Sequence, residues 1–144
     1  VFHQHLELAA KLNLPVVIHS RDAAQDTINI VKEHPDNRCV IHCYSGSLET
    51  AKIYLDLGHF ISFTGSVTFK NAAKLREVAA AVPLERLMIE TDCPYLSPEP
   101  MRGKPNEPAW IEYVAAKLAE LHSISVDDLK AITAANARLF FNLK

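Results

Sequence analysis

Three short apolar runs each end in a side chain that can bind a divalent cation. Pro15-Val-Val-Ile leads to His19, Arg38-Cys-Val-Ile leads to His42, and Leu87-Met-Ile-Glu-Thr leads to Asp92. Neutral imidazoles and carboxylates are the usual ligands of a catalytic divalent ion, and three protein ligands with one open position suit hydrolysis. One such histidine alone is more simply a strand-end polar group satisfied by backbone. Ligand types at three strand ends instead point to a metal site where His19, His42 and Asp92 meet.

The elements that must position them follow from the hydrophobic pattern. Residues 1–13 read as an amphipathic helix stopped by Asn13-Leu14-Pro15. Residues 15–19 are apolar and β-branched, the pattern of a strand buried on both faces. Ser20 is placed to cap a helix with Asp22 in its first turn and Ala24, Ile28 and Val31 on its buried face. A second strand over 38–43 and a helical stripe of Leu48, Ala51, Tyr54 and Leu55 follow, ending near Gly58. His59–Phe63 is a third strand, and Ala72, Leu75, Val78, Ala79 and Val82 mark the next helix. The fourth strand is expected over Arg86–Thr91. A proline-rich loop, 93–108, then precedes a stripe of Trp110, Val114, Leu118 and Leu121, and Ser125-Val-Asp-Asp128 is a capping-box start to a last helix.

Strands alternating with helices imply a parallel sheet with right-handed crossovers. An open doubly wound sheet and part of a (β/α)8 barrel both satisfy that order. Polar ligands at several C-terminal strand tips favour the TIM barrel, which takes about 200 residues or more. The 144 residues here supply about four β/α units plus C-terminal helices, a single domain equal to the C-terminal half of such a barrel. Residue 1 is Val and the first turns already read as helix, so a longer parent is expected.

Composition narrows the class. A net charge of −2 argues against a protein that coats nucleic acid, though not against an enzyme with local positive charge. No run approaches the roughly 20 apolar residues of a spanning helix, and no signal-peptide pattern is present. Cys39, Cys43 and Cys93, an odd set without a Cys-x-x-Cys pair, fit reduced thiols and a cytoplasmic location.

Several segments carry a resemblance to a known family. VIHSRDA (17–23), IHCYSG (41–46), FISFTGSVTFK (60–70), IETDCPYL (89–96) and RGKPNEP (102–108) resemble the TatD family of metal-dependent deoxyribonucleases, a branch of the amidohydrolase-like barrels. The likeness runs through Asn136-Ala-Arg-Leu-Phe140. It implies a hydrolase cleaving phosphodiester bonds in DNA, often at strand ends, with divalent ions (Mg, Mn or Zn). It also implies that His19, His42 and Asp92 are metal ligands and Asp92 a catalytic residue. Arg21, Arg102, Asn106 and Glu107 match positions that would bind substrate or shape the mouth. The family's His-x-His pair and a further glutamate belong to strands not found in this chain.

The remaining candidates are weaker. His3-Gln4-His5 is a literal His-x-His, but residues two apart on a helix point to different faces. Glu90 is a substitute carboxylate on the face of Asp92, or a local hydrogen-bond acceptor. Cys43 is expected to be a small side chain behind the site rather than a nucleophile, and Trp110 a core residue. Two other functional readings remain: a half-barrel with little activity that self-associates through open sheet edges, and an amidohydrolase-like enzyme acting on amides, lactones or phosphotriesters.

Overall fold

The computed structural model describes all residues, 1–144. Four short strands, β1 (Val16–His19), β2 (Cys39–His42), β3 (Phe60–Phe63) and β4 (Leu87–Ile89), form one sheet in the order β1-β2-β3-β4. Every pairing is parallel, with Ile18 level with Ile41, Ile41 with Ile61 and Ile61 with Leu87. Helices α1 (Phe2–Lys11), α2 (Ala24–Lys32), α3 (Leu48–Asp56), α4 (Ala73–Ala81), α5 (Ile111–His122) and α6 (Val126–Phe141) precede, separate and follow the strands. The expected α/β order is therefore present, in a fully parallel sheet.

Side chains alternate between the two sheet faces. One face carries Ile18, Cys39, Ile41, Ile61, Phe63 and Leu87, which join Ile28, Val31, Tyr54, Val78, Val114 and Leu118 of the helices in the main core. The other face carries Val40, Phe60 and Met88, which close a small cluster with Phe140 at the end of α6. Phe140 meets Phe60 edge-to-face, ring centroids 5.4 Å apart.

Local chemistry explains most boundaries. Ser125 caps α6, its hydroxyl accepting from Asp128 N–H at 3.0 Å and donating to the Asp128 carboxylate. Ser47 caps α3 by accepting from Thr50 N–H. Ser20 does not cap α2. That helix starts at Ala24 with Asp26 in its first turn, and the Ser20 hydroxyl instead shares a 2.9 Å bond with Thr27. A left-handed Asp22 (φ 55°) moves the chain away before the helix begins.

Three further expectations need correction. β1 is buried on one face only, because it is an edge strand: Val17 is 52% exposed, and His19 is exposed too. Trp110 lies half-buried in a 3-10 turn, Pro108–Trp110, ahead of α5 rather than within the core. β4 ends at Ile89, so Glu90, Thr91 and Asp92 form a tip beyond the strand.

The sheet's two edges differ. Asn136 of α6 sends its amide to the carbonyls of Leu84 (2.7 Å) and Leu87 (2.8 Å), covering the β4 side. Nothing equivalent covers β1. Asn136→Ala would leave two carbonyls short of partners, and a loss of about 1–3 kcal/mol is expected in denaturant unfolding. A change below a few tenths would mean that the amide does not secure this edge.

His59, at the start of β3, is 3% exposed. Burial, and then the neighbouring Arg86 guanidinium, push its imidazole from 6.5 down to about 4. As pH falls, the unfolded chain therefore binds a proton before the folded one does. The stability from neutral His59 is complete above about pH 6.5 and is lost towards pH 4. Unfolding midpoints measured across that window should fall with pH, and His59→Gln should flatten the slope.

Candidate metal centre

In a parallel sheet all C-terminal strand ends lie on one side, so residues distant in sequence meet there. His19 and His42 are level across β1 and β2, with ring centroids 5.7 Å apart. They share a sheet face with Ser62 of β3 and Glu90 beyond β4. Serine at 62, buried and small, leaves the space over β3 through which Glu90 reaches β2.

Glu90 makes the decisive contacts. One carboxylate oxygen lies 2.6 Å from His42 Nδ1, and the other accepts the Cys43 backbone N–H at 2.5 Å. The Glu90 backbone N–H is itself held by the Phe63 carbonyl at 3.1 Å. A carboxylate can only accept, so Nδ1 carries a proton, and in the neutral ring Nε2 presents its lone pair. Nε2 faces Asp92 Oδ1 at 3.2 Å. Two acceptors that close need a proton or a cation between them. Two ligands about 2.1 Å from one ion, at angles of about 90–110°, stand roughly 3.0–3.4 Å apart, so the spacing fits neighbouring ligands of one metal.

Asp92 owes its position to the loop that follows. Its φ of 55° is the left-handed conformation that Asp tolerates better than most residues, and it turns the chain off the sheet. Buried Asn106 then sends its amide to the carbonyls of Thr91 (2.8 Å) and Tyr95 (2.7 Å), locking the tip from behind. Gly65 lets this loop close over β3, because a Cβ there would sit 2.1 Å from the Leu96 carbonyl oxygen.

The expected residues thus divide. His42 and Asp92 are paired, with His19 beside them on the same rim. No three His, Cys, Asp or Glu side chains are grouped as a ready cage, so the donor types fit a divalent ion while the set is incomplete. Arg21 is exposed at the start of the β1–α2 loop, 4.0 Å from the Asp22 carboxylate. The Arg102 guanidinium stacks 3.9 Å over the Phe69 ring, Asn106 acts through backbone, and the Glu107 side chain is exposed. Glu90, read as a spare ligand or a local acceptor, instead orients His42. Strand alternation already put it on the right face.

Two other candidates end elsewhere. His3 pairs with His34 at 2.9 Å while His5 is exposed, so the His-x-His does not converge. Burial raises the Cys43 thiol, which disfavours the thiolate and agrees with a passive side chain.

A family profile described as TatD related DNase matches residues 1–142. The chain belongs to the TatD-related DNase family. It is 48% identical to the uncharacterized metal-dependent hydrolase YcfH of Escherichia coli (strain K12), across 96% of this chain and 54% of that protein. It is 38% identical to the 3'-5' ssDNA/RNA exonuclease TatD of Klebsiella pneumoniae (strain 342), across 99% of this chain and 57% of that one. Among solved structures, the E. coli K12 TatD homologue YJJV superposes with a TM-score of 0.91 at 34% identity, covering 98% of this chain and 55% of that one. This TatD-family chain therefore spans about half the length of the curated relatives it matches.

Partners that orient a metal-binding histidine typically contribute about 10–100-fold to metal affinity. Glu90→Gln is expected to weaken binding of Mn or Zn by that factor in calorimetric titration. Unchanged affinity would remove Glu90 from the centre.

Proposed function

We propose that this chain supplies the metal-binding half of a hydrolase that cleaves phosphodiester bonds in DNA at strand ends. The observation that carries the proposal is His42 Nε2 held 3.2 Å from the Asp92 carboxylate, with Glu90 on the opposite ring nitrogen. Family membership and the nucleic-acid exonuclease named among its relatives support the same direction.

In this reading His19, His42 and Asp92 hold a divalent ion, Mg, Mn or Zn. A bound divalent ion lowers the pKa of a water towards neutrality and offsets charge on the scissile phosphate. The protein's own residues do the rest. Glu90 keeps the His42 proton on Nδ1 and Nε2 free. Asn106 fixes the tip that carries Asp92, the residue assigned the catalytic role in this reading. Arg21 and Arg102 provide positive charge on a chain of net charge −2. That balance suits the grip of one strand end more than the many phosphate contacts of a duplex-coating protein.

We further infer that residues 1–144 are the C-terminal half of an eight-stranded barrel, with four more strands needed to close the sheet between the β1 and β4 edges. Exposed Val17, Leu8, Leu12 and Leu14 lie on and before β1, where such strands would pack, and the relatives are nearly twice as long. The same open side favours a second reading, a half-barrel that works only with a partner or a second copy.

The test is hydrolysis of single-stranded DNA by the full-length form. Activity is expected to vanish in chelator and return with added divalent metal. Asp92→Ala is expected to remove more than about 100-fold, beyond the about 10–100-fold set by outer partners, with the fold retained. Undiminished turnover in chelator, or in Asp92→Ala, would overturn the proposal.

A further inference from the structure

The end of the sheet away from the metal rim gathers positive charge. In a parallel sheet the strand starts share one side, as the tips share the other. Arg38 immediately precedes β2 and Arg86 immediately precedes β4, on either side of Phe60 at the start of β3. Arg38 lies four residues before His42, roughly 13 Å along an extended strand, so the two ends are separate. Arg38, Arg86, Phe60, Leu139 and Phe140 line one cavity of about 210 Å³.

Neither guanidinium is neutralised by the protein. No carboxylate lies within 4.0 Å of Arg38 or Arg86, and every ion pair of the chain is elsewhere. The Arg86 guanidinium lies over the Phe60 ring, 5.1 Å from its centroid, a contact that uses the flat face of the group rather than its N–H edge. Its charge reaches buried His59, where it adds to burial in lowering the imidazole pKa. Arg38 donates from Nη1 to Asn142 Oδ1 at a long 3.4 Å, while its Nη2 is enclosed without a partner. Leaving a charged donor enclosed and unpaired costs more than leaving a neutral one.

These groups define what would satisfy them. Two like charges on one cavity repel, and the apolar walls of Phe60, Leu139 and Phe140 make that repulsion stronger than in water. An anion between them reverses the sign of the interaction. The planar fork of a guanidinium matches two oxygens of a phosphate or carboxylate, so an oxyanion with several acceptor atoms suits a pair of arginines. The cavity is smaller than the roughly 300–1,000 Å³ usual for larger organic ligands, which favours a compact group.

We propose that this cavity binds a phosphate-class oxyanion, clasped by Arg38 and Arg86 beside the Phe60–Phe140 pair. Bound there, the anion joins the starts of β2 and β4 and, through Asn142 next to Arg38, the end of α6. The site is independent of the reaction at the metal rim. A free phosphate ion and the phosphate group of a larger molecule share the recognised chemistry.

The test is calorimetric titration of the full chain with inorganic phosphate, in chelator and at constant ionic strength, with amide NMR to locate the site. Saturable binding is expected, with shifts at Arg38, Cys39, Phe60 and Leu87 and none at His42 or Asp92. Arg38→Gln and Arg86→Gln are each expected to weaken binding about tenfold or more, the range of a hydrogen bond to a charged group. Arg138→Gln, exposed on α6 and outside the cavity, should bind as the wild type does. Phosphate should also raise the Tm of the wild type and leave that of the double glutamine variant unmoved, because a ligand stabilises only the fold that binds it. If a glutamine variant does not fold, Arg38→Lys and Arg86→Lys keep the charge, lose the fork, and should still bind more weakly than the wild type. Glycerol 1-phosphate separates the two sources: affinity equal to that of phosphate supports a group carried on a larger molecule, and binding of phosphate alone supports the free ion. Equal shifts with chloride, shifts confined to the metal rim, or arginine variants that bind as tightly as the wild type would each overturn the site.

Discussion

The bond between Glu90 and His42 Nδ1 is the constraint on which the site depends. An imidazole has two nitrogens and, when neutral, one proton, so whichever nitrogen is engaged as donor decides what the other can do. Glu90 engages Nδ1 at 2.6 Å and Cys43 N–H at 2.5 Å, fixing both the ring and the backbone that carries it. The bonds are charge-assisted and the groups only about a quarter exposed, so solvent competes weakly for them. What remains, in the neutral ring, is a lone pair directed at Asp92.

The fold exists to make that contact reproducible. Parallel pairing brings the strand tips to one side, and the small Ser62 opens a path from the β4 tip to β2. The Phe63 carbonyl holds Glu90, and Asn106 holds the carbonyl of Thr91 beside Asp92. Below this rim, Val40, Phe60, Met88 and Phe140 form an apolar floor. The polar groups thus sit on a dry layer, where their electrostatic interactions are stronger than in water. On the opposite face a larger core anchors α2–α5 to the strands, so the tips inherit the rigidity of the sheet.

Much of this was legible in the residues. Apolar runs ending in His19, His42 and Asp92 gave the strands and their direction, because buried parallel strands read as continuous apolar stretches. Ser125 marked a helix start through an interaction three residues long, which sequence displays well. Ser20 misled because its partner, Thr27, lies a full helix turn further on and competes for the same hydroxyl. The exposure of Val17 could not be read from its apolar neighbours, since edge and centre strands differ only in what pairs beside them. Glu90 was visible on the correct face, but its bond to His42 depends on Ser62 being small, a condition set by a third strand. The stacking of Arg102 on Phe69 and the backbone role of Asn106 were likewise hidden, because the loop from 93 to 108 has no periodicity to interpret.

The most direct measurement is an anomalous-difference map from crystals grown with manganese or zinc. A single strong peak about 2.0–2.2 Å from both His42 Nε2 and Asp92 Oδ1 is the predicted result. A cation bound elsewhere, or a direct hydrogen bond from a protonated Nε2 to Asp92 with no metal between them, would contradict it.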